Sequence, residues 1–376
     1  MKAFDEIRPY QDEEVRAVLR NLLQDPAVVD TVAAFLLPKF HAWLPRLTNT
    51  YVRRALTRTT RRLDSVDDVQ TFLTSYFSRM IDETTSGYTV EGIERLDPGT
   101  GHLFISNHRD IALDSGFMNF ALREAGLTTS QIAVGDNLLS QGFATELMRL
   151  NKSFVVKRSA GGPKAQYAAM LQTSSYIRAT LERGESVWIA QREGRSKDGL
   201  DRTEPAIIKM FTLAYRKEIR TVNQWLQRVS LVPVSVSYEV DPCARLKAKE
   251  LFLTERDGRY DKPVEEDLQS IKQGIVGFKG RVHVSFADRV VGSFEDADSL
   301  ALHLDRVIVG NLKVFPTHVY AVNEALNNAL NQETDGLDKR VREAFQGSLD
   351  ACTRDQRPYL LSQYANLLKN KEALGV

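Results

Sequence analysis

Only two cysteines, Cys243 and Cys352, occur in 376 residues, far apart and without Cys/His ligand spacing around either. A disulfide framework and a structural zinc site are therefore not expected, and a reducing compartment is the default. Long apolar runs are missing too: no window approaches the roughly 18 to 20 apolar residues of a membrane-spanning helix. The N-terminus, Met1 to Gln11, is charged rather than apolar, so no signal peptide is expected. Nor is there an excess of one charge. Fifty basic against 49 acidic residues leave a net +1, which gives no global reason to expect nucleic acid. Internal repeats and low-complexity tracts are absent. The remaining composition is that of an ordinary globular protein, long enough for one large domain or a catalytic domain with an accessory one.

The texture of the chain changes twice. Residues 12 to about 85 read as helical: Val66, Val69, Phe72, Leu73, Tyr76, Phe77 and Met80 recur in steps of three and four on one face. Ser65 is the expected N-cap of that helix, with Asp68 as its capping-box partner. After Gly87, β-rich runs alternate with helical ones. The expected strands are Tyr88 to Ile93, His102 to Ile105, Gln131 to Val134, Ser153 to Val156, Ser186 to Ala190, Leu231 to Tyr238 and Arg281 to Phe286. Lys164 to Leu181 and Pro205 to Arg216 read as helices between them. From about Ala297 the chain is again mostly helical, with a break near Pro316. The fold class is therefore α/β: a mixed, largely parallel sheet flanked by helices, with an N-terminal helical region and a helical C-terminal tail. The expected organisation is a helical region over 1–87, an α/β domain over 88–296 and a helical region over 297–376.

Within the first region, Phe35, Leu36, Leu37, Phe40, Trp43, Leu44 and Leu47 form an aromatic-rich apolar run. It leads into Arg46, Arg53, Arg54, Arg58, Arg61 and Arg62. Apolar anchors beside clustered arginines suit an anionic membrane surface or an acidic carrier protein. The same letters also describe an ordinary core helix with a solvated basic face.

The chemistry concentrates where strand Leu103–Ile105 empties into Ser106-Asn107-His108-Arg109-Asp110, followed by Asp114. A histidine at a strand exit can act as a general base, and a neighbouring carboxylate fixes its tautomer. His108-Arg109-Asp110 also spells the start of a protein-kinase catalytic loop. That loop needs an asparagine five positions after the aspartate, where this chain has Ser115, and no kinase phosphate loop accompanies it. Three further strands end in polar groups: Phe154 to Arg158, Trp188 to Glu193-Gly194-Arg195-Ser196, and Val232-Pro233 to Tyr238-Glu239. Strand ends of this kind bind ligands in α/β proteins, and arginine there suits phosphate. Pro233 suggests an edge strand or a bulge.

Taken in order, these blocks resemble the glycerol-3-phosphate and 1-acylglycerol-3-phosphate acyltransferase family. Asn107-His108 with Asp114, Phe154 with Arg158, Glu193-Gly194-Arg195-Ser196 and Val232-Pro233 carry the resemblance, over roughly residues 88 to 240. The spacing from His108 to Asp114 is one residue longer than the family's usual one. Gly194 also meets Arg195 without the family's intervening residue. Asp114 is the better fit for the orienting carboxylate, with Asp110 as the alternative.

The resemblance implies an O-acyltransferase of phospholipid biosynthesis that needs no cofactor and no metal. His108, held by Asp114, takes the proton of an acceptor hydroxyl as it attacks an acyl thioester, either acyl-CoA or an acyl-carrier protein. Arg158 and Arg195 hold an acceptor phosphate, and Glu193, with Gly194 and Ser196 beside it, contacts the acceptor. Expected partners are the thioester donor, a hydroxyl acceptor and a peripheral membrane surface. The expected location is cytoplasmic, at the membrane face. The alternatives are an acyltransferase for a non-glycerophosphate acceptor and a non-catalytic lipid- or carrier-binding protein.

Overall fold

The computed structural model describes residues 2–136, 142–158, 161–263, 265–325 and 337–376. They form two compact units: Met1–Tyr76 with Gln131–Thr173, and Phe77–Ser130 with Ser174–Val376. The described strands are β1 (Gly87–Glu91), β2 (His102–Ser106), β3 (Gln131–Gly135), β4 (Ser153–Val156), β5 (Val187–Ala190), β6 (Ser230–Tyr238) and β7 (Arg281–Phe286). The architecture is mixed α/β with helical regions at both ends of the chain.

In the first unit the helices are set by their punctuation. Pro26, Pro38 and Pro45 each begin a helix, giving Pro26–Leu36, Pro38–Trp43 and Pro45–Thr60 after the first, Asp12–Gln24. Proline fits that position because its missing N–H has no intrahelical partner there. Helix Val66–Thr84 starts with reciprocal capping: Asp68 N donates to Ser65 Oγ at 3.1 Å, and Ser65 N to Asp68 Oδ2 at 2.9 Å. Val15, Val18, Leu22, Val28, Leu63, Val66, Val69 and Leu150 close the core of this unit, which also holds the parallel pair β3–β4.

The aromatic run in this unit does not behave as core. Within it Phe40 is 66% exposed, Trp43 81% and Leu47 65%, and Tyr51 just beyond the run is exposed as well. An ordinary core helix would bury them, so that reading is corrected for these side chains. The side chain of Phe35 lies outside the described residues.

The second unit contains a sheet ordered β1-β7-β6-β2-β5. Every pair is parallel except β6–β7. Its central strands are buried on both faces, which is why Leu103, Phe104, Ile105 and Val232, Val234, Val236 read as dense apolar runs. Two local expectations are corrected. Strand β1 stops at Glu91, because Gly92 takes φ 80° and turns the chain where a Cβ would lie 2.1 Å from the Phe286 carbonyl. Pro233 stands in the central strand β6, not at an edge. Its carbonyl accepts from Ala287 N at 2.9 Å, just past the last residue of β7, so the absent N–H falls where the antiparallel ladder ends.

All nine residues of β6 are buried. Ser235 Oγ donates to Ile308 O at 2.7 Å, and Ser237 Oγ accepts from Lys313 N at 3.0 Å. One face of β6 is thus satisfied by helix Ala297–Asn311 and the residues after it. Val234, Val236 and Tyr238 occupy the other face, toward helix Leu113–Glu124.

Candidate active site

The site is built where β2 ends. Asn107, fully buried, exchanges two hydrogen bonds with one residue of the neighbouring strand: its Nδ2 donates to Val236 O at 2.9 Å, and its Oδ1 accepts from Val236 N at 2.8 Å. The side-chain amide replaces a strand residue and so extends the β2–β6 pairing past the point where the β2 backbone turns away. On the other side, Gln191 N donates to Ser106 O and Ser196 N to His108 O, at 2.8 and 2.7 Å. The turn bearing His108 is therefore held from both flanks.

His108 Nδ1 lies 2.8 Å from Asp114 Oδ2. That oxygen also accepts from Arg109 N at 2.6 Å and Asp110 N at 2.9 Å, and Tyr238 OH donates to the other oxygen at 2.8 Å. Asp114 sits in the first turn of helix Leu113–Glu124, where the helix dipole favours negative charge. A carboxylate at this distance takes the Nδ1–H of the imidazole, leaving the Nε2 lone pair as the basic site. Trp188 covers the ring edge-on, centroids 5.9 Å apart at 74°, and the His108 side chain is 13% exposed.

Asp110 does other work. Its Oδ1 accepts from Ala112 N and Leu113 N at 3.0 and 2.9 Å, opening the helix. Burial and the charge of Asp114 push its carboxyl above the usual range. Its other oxygen packs on Gly274, where a Cβ would come within 2.3 Å. The histidine's partner is Asp114.

The Glu-Gly block forms the loop beside this turn. Glu193 and Gly194 are exposed, and Gly194 adopts φ 73°, which favours glycine. Arg195 is buried. Its Nη2 reaches Ser270 Oγ at 3.4 Å, whereas its Nη1 has no hydrogen-bond partner among the described residues. Ser196 is buried and turned into the loop, its Oγ 3.2 Å from Leu200 O. Arg158 belongs to the other unit, exposed at the end of β4, with its N donating to Asp136 Oδ1 at 3.2 Å.

Sequence reasoning missed the frame behind the turn. Arg109, the middle letter of the kinase-like triplet, pairs with buried Asp201 at 2.5 Å, and its carbonyl accepts from Lys247 Nζ at 2.6 Å. Lys247 in turn pairs with Asp241 at 2.5 Å. Helix Arg357–Leu374 supports the same loop, Asn366 Nδ2 donating to Asp198 O at 2.8 Å and Asn370 Nδ2 to Asp201 O at 3.2 Å. Tyr238 carried only one signal, its place at the end of an alternating valine–serine strand.

Residues 87–237 match the family model described as Acyltransferase. The bovine (Bos taurus) dihydroxyacetone phosphate acyltransferase is 26% identical over 208 residues, covering 53% of this chain. The chain spans 28% of that relative's length. Among solved structures, the 1-acyl-sn-glycerophosphate (LPA) acyltransferase PlsC from Thermotoga maritima covers 78% of this chain and 93% of its own, with a TM-score of 0.38 and 14% identity. The histidine turn, the Glu-Gly loop and most of β6 thus lie within the segment that matches the Acyltransferase family model.

Proposed function

We propose that the protein transfers a fatty acyl group from an acyl thioester, acyl-CoA or acyl-carrier protein, to a hydroxyl of a glycerophosphate-type acceptor, as a step of phospholipid biosynthesis. The observation that carries this reading is the pair His108 Nδ1–Asp114 Oδ2 at 2.8 Å within the acyltransferase-family segment. His108 Nε2 takes the proton of the acceptor hydroxyl while its oxygen attacks the thioester carbonyl. Asp114 stabilises the imidazolium that forms. The tetrahedral adduct collapses by breaking the C–S bond, and the imidazolium returns its proton to the thiolate. The products are the ester and the free thiol. No covalent acyl-enzyme is needed, because orienting two bound substrates supplies much of the rate.

Arg195 suits the acceptor phosphate, since its Nη1 is buried without a hydrogen-bond partner among the described residues. Glu193 and Arg158 take the roles that the resemblance implies, toward the acceptor's hydroxyls and phosphate. Exposed Phe40, Trp43, Leu47 and Tyr51 support a peripheral anionic membrane surface as the working location. So does a groove of about 520 Å³ between helices Asp12–Gln24 and Pro45–Thr60, lined by Arg16, Arg20, Arg53 and Arg61. Among the described residues, no helix is long and apolar enough to cross a membrane.

The test is mass spectrometry of products from pure protein, an acyl-CoA mixture and three acceptors: glycerol 3-phosphate, lysophosphatidic acid and a zwitterionic lysolipid. Ester formation on a phosphate-bearing acceptor, abolished in a folded His108→Ala variant, is the expected result. Undiminished transfer by that variant overturns the assignment of His108. Exclusive use of the zwitterionic acceptor overturns the acceptor class.

A further inference from the structure

The carboxylate that holds His108 is itself held, and by a residue outside the histidine turn. Three of the four donors to Asp114 converge on Oδ2: the His108 imidazole and the N–H groups of Arg109 and Asp110. The fourth is Tyr238 OH, 2.8 Å from Oδ1, and it is the only donor recorded on that oxygen among the described residues. Tyr238 is the last residue of β6, on the face of Val234 and Val236. Its ring lies edge-on against Phe117 of the helix that carries Asp114, centroids 5.9 Å apart at 66°. Burial, followed by the charge of Asp114, holds the phenol well above its ordinary range, so it remains a donor across the physiological pH range.

A carboxyl group turns readily about its last torsion, because that sp³–sp² rotation has no sharp staggered wells. Without a donor on Oδ1, Asp114 would carry a buried charged oxygen with nothing to satisfy it. Rotation is the available relief, and it brings Oδ1 toward the donors already serving Oδ2, which disturbs the bond to His108.

We infer that Tyr238 is a positioning residue for acyl transfer, its hydroxyl locking the Asp114 carboxylate so that Oδ2 stays on His108 Nδ1. The inference rests on the acyl-transfer reading above.

The experiment is a double-mutant cycle of full-length wild type, Tyr238→Phe, Asp114→Asn and the double variant. Each is assayed for kcat and for KM of acyl-CoA and acceptor, with circular dichroism as the folding control. A group that acts through Asp114 loses its effect once Asp114 cannot hold the imidazole. Tyr238→Phe is expected to lower kcat about tenfold or more with both KM values unchanged, and to cost less than about twofold in the Asp114→Asn background. Equal losses in both backgrounds, or an unaltered kcat in Tyr238→Phe, overturn the inference. If Tyr238→Phe does not fold, 3-fluorotyrosine at position 238 keeps the shape and alters only the donor. Its kcat is then expected to depart from wild type in the Asp114 background alone, and no departure overturns the inference. Wild-type protein without turnover overturns the acyl-transfer reading itself, whereas turnover indifferent to Tyr238 overturns only the role of Tyr238.

Discussion

Asn107→Ala removes no group from the proposed proton path, yet it is expected to loosen the site. The asparagine amide satisfies both the N–H and the C=O of Val236, at 2.8 and 2.9 Å, from a position with no solvent exposure. Deleting it leaves two buried backbone groups without those partners. Each such group costs about 1–3 kcal/mol, so the β2–β6 junction loses about 2–6 kcal/mol of local stability. At 1.4 kcal/mol per factor of ten, that is a rise of roughly 30-fold or more in exchange of the Val236 amide. Asn107→Asp is expected to do at least as much damage, because it keeps the acceptor but sets a carboxylate oxygen against the Val236 carbonyl. The assay is hydrogen–deuterium exchange of the intact chain, comparing the peptide covering 230–238 with one covering 281–286. Loss of protection confined to the first, with a parallel fall in kcat, is the expected pattern. Val236 exchange within threefold of wild type would falsify the view that the asparagine works as a strand clamp.

Three further outcomes follow from the frame around the site. Arg109→Met leaves Asp201 buried without its cation, which is expected to destabilise the fold by about 3–5 kcal/mol in urea denaturation; a change below about 1 kcal/mol would mean that the pair is effectively solvated. His318 is held down to about 4 from 6.5, first by burial and then by Arg109, and its Nδ1 accepts from Phe315 N at 2.9 Å. Between those values the unfolded chain binds the proton and the folded one does not. The contribution of His318 is thus complete above pH 6.5 and falls, by on the order of 3 kcal/mol, as pH drops toward 4. His318→Gln should flatten that limb of the stability–pH curve, and an unchanged slope would refute the assignment. Trp43→Ser and Phe40→Ser are expected to weaken co-sedimentation with phosphatidylglycerol vesicles severalfold, with salt weakening the wild type further. Equal binding by wild type and variants would show that this face does not touch lipid.

Much of the fold was legible because strands and helices leave different periods in sequence. The dense apolar runs of β2 and β6, the three- and four-residue steps along helix Val66–Thr84 and its Ser65–Asp68 cap each depend on residues close together in the chain. The histidine turn was legible for the same reason, with one ambiguity. Asp110 and Asp114 are both within reach of His108 by sequence distance, and only the path of the turn decides which carboxylate meets the imidazole. Pro233 was misread because proline marks a missing donor, and what that costs depends on where the neighbouring strand stops.

The sequence by itself determined which segments become strands and helices, where the histidine turn lies, and which family the segment resembles. Those properties rest on local propensity and on residues a few positions apart. The tertiary structure alone decided that Arg109 is an anchor on Asp201, that Tyr238 meets Asp114 across 124 positions, and that Trp43 faces outward. A hydrogen bond of 2.8 Å depends on where the sheet and its covering helices bring two groups, and no spacing along the chain encodes that distance.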